Sequence, residues 1–149
     1  MLSSETLHRL LALCLGSMVF CAQSQVVQNS WTLVHRESGI SYYLDTGAVG
    51  AEGPYRSYWV LVTFQYDPQF EGVRPFKSAR LLRYAKCAAR EQDTKSIFQY
   101  HTSMGEGEPA WAVTLDDVDL TMEPVEPGSV GARIMEMACS PKAPINLPR

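Results

Sequence analysis

Apolar and polar positions alternate along most of this chain with the period of two that marks strands, and one late stretch changes to a helical period. Residues 31–36 set Trp31, Leu33 and His35 against Thr32, Val34 and Arg36, which predicts a strand. Glu37-Ser38-Gly39 predicts a hairpin turn, and 40–45, with Tyr42 and Tyr43, the returning strand. Gly47, Gly50, Gly53 and Pro54 make 45–54 a loop or a short turn of helix. Residues 55–66 form the strongest strand. β-Branched and aromatic residues stand on both its faces, which predicts a central strand covered on both sides.

Pro68, Gly72 and Pro75 place a loop over 67–75. Further strands are predicted at 76–87, where adjacent Leu81 and Leu82 interrupt the alternation, and at 94–102, with Ile97, Phe98 and Tyr100. Residues 103–110 form a glycine-rich loop, 111–115 a short strand and 116–126 an acidic, irregular segment. Pro127-Gly128-Ser129 stops extended structure, and Ser129 supplies a helix N-cap. The helix covers 130–139. Val130, Ile134, Met137 and Ala138 occupy its apolar face, Met135 and Cys139 continue the arc, and Arg133 and Glu136 point out. Residues 141–149, rich in proline, read as a flexible tail. No internal repeat is present. The fold class is α+β: an antiparallel sheet of about five or six strands with one C-terminal helix packed on a face.

The N-terminus departs from this pattern. Residues 10–21 carry no charge and Ser17 as their one hydroxyl. A run of about a dozen residues matches the apolar region of a secretory signal peptide, ~7–15 residues, and is too short to span a bilayer. Arg9 precedes it, with Glu5 diluting the positive end. Small residues at Ala22 and Ser24 place cleavage between Ser24 and Gln25. Residues 1–24 are then the signal peptide and 25–140 the folded domain. Phe20 before Cys21 and Leu13 before Cys14 are too bulky for a lipid-attachment site, so lipoprotein anchoring is not expected.

Removal of the signal leaves two cysteines of four, Cys87 and Cys139. In an oxidising compartment an isolated pair normally forms a disulfide, worth about 4 kcal/mol for a loop of this length in the chain-entropy model. The other readings, a thiol nucleophile or metal ligands, lack a Cys-x-x-Cys spacing to support them. The bridge would pin the helix to the end of the 76–87 strand.

Composition narrows the function. At 46% hydrophobic the chain is not wholly disordered, and a net charge of −3 lacks the basic footprint of a general nucleic-acid binder. The mature chain has no apolar run long enough for a transmembrane helix.

Motifs for catalysis are weak. His35 and His101, the mature histidines, sit in predicted strands with no marked partners. Asp116, Asp117 and Asp119 could meet a hard cation, yet the glycine and distal glutamate of a hand-type calcium loop are missing, so a solvated acidic loop is expected. Glu106, Glu108 and Pro109 spoil Gly105-Glu106-Gly107 as a phosphate loop and leave a tight bend. Ser38, Ser57, Ser78 and Ser129 lack a nucleophile-elbow setting. Neither catalytic residues, nor a metal site, nor a cofactor is expected. Tyr42, Tyr43, Tyr55, Tyr58, Trp59, Tyr66, Tyr84 and Tyr100 lie on or beside strands. Aromatics with a polar end serve both sheet cores and protein interfaces.

One ordered set of residues carries a resemblance. It comprises Trp31, Tyr43-Leu44-Asp45, the long aromatic strand, Phe76-Lys77-Ser78 opening a strand that ends at Cys87, and Arg90. Met104-Gly105-Glu106-Gly107, Val125-Glu126-Pro127-Gly128-Ser129 and the helix ending in Cys139 follow. Over 31–139 the chain resembles the surface-adhesin E-like family of Gram-negative envelope proteins. The resemblance implies an antiparallel sheet with a C-terminal helix tethered by the disulfide, and named members that bind host extracellular-matrix proteins. It also implies that dimers form in the family, which leaves a homodimer open. Lys86 departs from the acidic residue often found before the first cysteine.

The expected function is that of an exported, non-enzymatic, adhesin-like binding protein, periplasmic or on the outer surface, with a protein partner and no nucleic acid. The alternatives are a periplasmic inhibitor or envelope-internal binding protein, with 116–119 plugging a basic cleft, and an unrecognised envelope enzyme.

Overall fold

The computed structural model describes residues 30–68, 74–116 and 119–141. The expected signal peptide 1–24, the expected Ser24–Gln25 cleavage junction, Cys14, Cys21, Asp117 and residues 142–149 lie outside the described residues.

Alternation produces strands here because each residue pair across the ladder shares a face. β1 (Trp31–Glu37) and β2 (Ile40–Asp45) form a hairpin closed by Ser38 and Gly39, whose φ values of 49° and 80° give the doubly left-handed two-residue turn that suits strand twist. β3 (Gly50–Glu52) is a short strand against the start of β4 (Tyr55–Phe64). β5 (Ser78–Lys86), β6 (Glu91–Tyr100) and β7 (Trp111–Thr114) continue the sheet, and β8 (Glu123–Pro124) pairs with the beginning of β6. All pairings are antiparallel, and the order is β1-β2-β4-β5-β6-β7 with β3 on β4 and β8 on β6. Six strands thus make the continuous path, with two short ones attached.

Helix α1 (Val130–Ala138) starts as its sequence requires. The Ser129 side chain accepts from Ala132 N at 3.1 Å, satisfying one of the first turn's free donors. The helix packs over β1 and β2. Its residues Ala132, Ile134, Met135 and Ala138 close on Leu44, Tyr58, Val60 and Val62 of the sheet. Full burial of each large aliphatic group contributes about 1.5–3 kcal/mol. Cys139 caps the helix and is bonded to Cys87, just past β5, with the Cα atoms 5.7 Å apart. Arg90 Nη2 reaches Glu136 Oε1 at 3.0 Å beside the bridge.

Several expectations are corrected. The 45–54 segment contains β3, and the acidic 116–126 segment contains β8. Both strands are too short and polar to show a period. The 94–102 strand is shifted: β6 begins at Glu91 and ends at Tyr100, leaving exposed His101 in a bend. Met137 is 37% exposed, whereas Ala132 is 1% exposed. At 100° per residue the buried arc runs from Ile134 toward Ala132, and Met137 falls about 60° outside it.

β4 is the central strand. Tyr58, Val60 and Val62 are buried on the helix side. Leu61 and Ser57 are buried on the opposite side, which no described helix covers. Leu61 stands there in register between Tyr43 and Arg80.

Candidate functional site

The helix-free side of the sheet is built from the other parity of each strand. Trp59, Leu61, Arg80, Leu82 and Phe98 share it through their pairing. Trp31 at the start of β1 and Tyr100 at the end of β6 flank Arg80. The guanidinium carbon lies 5.6 Å from each ring centroid. A cation between two aromatic faces is attracted by both quadrupoles. Trp59 and Phe98 add a tilted pair at 5.8 Å. These groups and Asp45 line a cavity of about 200 Å³.

Two loops position the cleft. Asp45 ends β2, and its Oδ1 accepts from Ser30 Oγ and Gly47 N, each at 3.1 Å. The carboxylate is thereby held at the cleft without pairing to Arg80: no described acidic oxygen lies within 4.0 Å of that guanidinium. On the other side, fully buried Ser78 donates to Thr102 O at 2.7 Å and accepts from Gly105 N at 2.9 Å. Thr102 Oγ1 donates to Glu106 O and accepts from Glu106 N, both at 2.9 Å. The glycine-rich segment is therefore the tight bend that was expected, with φ of 66° at Gly105 and 80° at Gly107. It lies against Arg80, whose Nε is buried and has no hydrogen-bond partner. A buried donor without a partner costs about 1–3 kcal/mol, so this arrangement is held by the surrounding bonds.

The remaining candidates fall apart in space. His35 contacts Arg133 Nη1 through Nδ1 at 3.2 Å and Glu37 through Nε2 at 3.3 Å, and stacks near Tyr42. Exposed His101 lies past β6. Among the described residues no three His, Cys, Asp or Glu side chains gather as a metal-binding group. Ser38 sits in the hairpin turn, Ser57 is buried on β4 and Ser129 is the helix cap. Asp116 and Asp119 are exposed.

On the helix side, burial pushes the Tyr58 hydroxyl up to about 12, opposed by the Arg83 charge, and the hydroxyl donates to Gln92 Oε1 at 2.8 Å. Arg83 is lowered from its ordinary value by burial, opposed by Tyr58 and Asp93.

Sequence reasoning missed both arginines, because a charged residue in an alternating strand reads as a solvent position. The available signal was the adjacent pair Leu81 and Leu82. With both faces of β5 apolar, Arg80 and Arg83, three residues apart, must enter opposite faces.

Comparison with known proteins sets this geometry in a family. A sequence search of curated proteins gives no match. Two solved structures of Haemophilus influenzae protein E superpose with a TM-score of 0.55, at 13% and 14% identity. They cover 76% of this chain, and 89% and 86% of theirs. Protein E from a non-typeable strain aligns with a TM-score of 0.50 at 14% identity, over 75% of this chain and 74% of that one. The shared feature is the fold. The family model described as surface-adhesin protein E matches residues 31–140, from the first strand to the residue after the bridged Cys139. The chain belongs to the surface-adhesin protein E family.

Proposed function

We propose that this chain is an exported, non-enzymatic, adhesin-like binding protein of the bacterial envelope, with host extracellular-matrix proteins as its partner class. The helix-free face around Arg80 is its binding surface. The observation that carries the surface is the Arg80 charge, held between Trp31 and Tyr100 without a carboxylate within 4.0 Å among the described residues. Tryptophan, tyrosine and arginine are the side chains that most often dominate protein interfaces. A planar guanidinium presenting its two outer nitrogens suits a carboxylate, which it can hold through two parallel hydrogen bonds. The partner segment is therefore acidic, with apolar neighbours for Trp59 and Phe98.

The charge-free 10–21 run and the Ala22-Gln23-Ser24 sequence support export with cleavage between Ser24 and Gln25, leaving 25–140 as the domain and 141–149 as a tail. The bridged Cys87–Cys139 pair supports an oxidising destination. Protease shaving of intact cells, with intact mass of the recovered protein, tests the address. Shaving sensitivity with a mass starting at Gln25 supports surface display. Protection from shaving removes adhesion and leaves an envelope-internal binding or inhibitory role.

A further inference from the structure

The second arginine faces a different environment. Between α1 and the sheet lies a cavity of about 290 Å³ that reaches solvent beside the first turn of the helix. Val60, Val62, Leu81, Val130 and Ile134 form its apolar lining. Its polar side chains are Arg83, Gln92, Tyr58, Tyr42 and Ser129, one cation and no carboxylate.

The polar end carries one positive charge and no negative one among its lining residues. Gln92 Oε1 is taken by the Tyr58 hydroxyl at 2.8 Å. The Gln92 amide nitrogen lies under the helix, 3.2 Å from where a Cβ on Gly131 would stand. Arg83 forms no ion pair with a described residue. Asp93 is near enough to act on its charge, but both oxygens of that carboxylate are engaged by backbone: Thr94 N at 2.6 Å and Thr121 N at 2.7 Å. A partly buried guanidinium beside an apolar lining, with the Gln92 amide near it and no carboxylate among the lining residues, calls for an anion.

We infer that this cavity binds a small monocarboxylate with an apolar body, its carboxylate on Arg83 and its body against Leu81 and Ile134. The apolar lining excludes a bare inorganic anion as the best fit. A single planar guanidinium matches one carboxylate. A volume of about 290 Å³ corresponds to roughly ten waters, which suits a chain of about eight carbons. Gly131 lets the helix approach Gln92 closely and so keeps the anion end narrow. The site lies on the face opposite Arg80 and is independent of the partner surface.

The test is a titration of the purified protein with sodium octanoate and, separately, octan-1-ol, followed by calorimetry and by amide and Arg Nε–H shifts. Saturable octanoate binding is expected, at least tenfold tighter than the alcohol, with shifts confined to Val130, Gly131, Gln92 and Arg83. Arg83→Gln should weaken octanoate at least tenfold and leave octanol unchanged. Leu81→Phe, which fills the cavity without touching the charge, should weaken both and covers the case in which Arg83→Gln does not fold. Absence of saturable octanoate binding at millimolar concentration, equal affinity for the alcohol, or shifts centred on Trp59 and Phe98 would overturn the inference. Matrix-protein binding, read in a separate assay, can fail without affecting this result.

Discussion

A Cβ on Gly105 would stand 2.7 Å from Arg80 Nε and 3.0 Å from Arg80 Cγ, so the glycine allows the 102–107 bend to close over the guanidinium. Its φ of 66° adds a second reason for the residue type. The bend, the buried Ser78 hydroxyl beneath it and the arginine between two rings form one unit at the cleft.

Gly105→Ala should therefore destabilise the protein by about 1–3 kcal/mol, through left-handed strain and displacement of Arg80. Thermal unfolding measures the loss. A Gly107→Ala control shares the positive φ, but a Cβ there meets nothing within 4 Å. It should lose less, and the difference isolates the contact with Arg80.

The Cys87–Cys139 bridge closes a loop with a sequence separation of 52 and fixes the helix cap to the end of β5. The double substitution Cys87→Ser/Cys139→Ser should lower stability by about 2–5 kcal/mol in chemical denaturation. Reduction of the native protein should produce a loss of similar size. An unchanged denaturation midpoint would mean that core packing alone holds the helix.

Tyr58 gives stability a pH dependence at the alkaline end. Its folded value, about 12, is raised above the ordinary 10 by burial, so its contribution is fully present below pH 10. Between pH 10 and 12 the unfolded chain releases the proton first, and stability falls by about 1.4 kcal/mol per pH unit. Tyr58→Phe should remove that component of the slope while costing about 1–3 kcal/mol at neutral pH, because Gln92 Oε1 loses its donor. Denaturation series at pH 8, 10 and 12 for both proteins check the sign and the size.

Much of this architecture was legible from residue pattern. The Ile40–Asp45 strand has the boundaries its alternation implied, the helix begins at Val130 behind its Ser129 cap, and the cysteine count led to the bridge. β3 and β8 were not legible, because Gly50–Glu52 and Glu123–Pro124 exist as strands only through pairing with β4 and β6. The buried arc of the helix departs from its sequence pattern at Met137 for a related reason. Periodicity defines an apolar stripe, but tertiary packing decides where its edge falls, and Gly131 lets the helix settle onto the sheet around Ala132. The cleft was hidden most deeply. Its parts come from β1, β2, β4, β5, β6 and two loops, and nothing local joins Trp31 to Arg80 or Arg80 to Tyr100.

The central claim is that the Arg80 face receives an acidic segment of a matrix protein. Its most direct test is surface plasmon resonance of purified wild-type protein and Arg80→Gln over immobilised extracellular-matrix proteins, with matched thermal unfolding to verify that both are folded. The expected result is saturable wild-type binding to at least one matrix protein, weakened tenfold or more by Arg80→Gln and reduced by salt, because the lost contact is charge-assisted. Saturable binding of equal strength in the two proteins would place the surface elsewhere, and no saturable binding to any matrix protein would contradict the adhesin-like account itself.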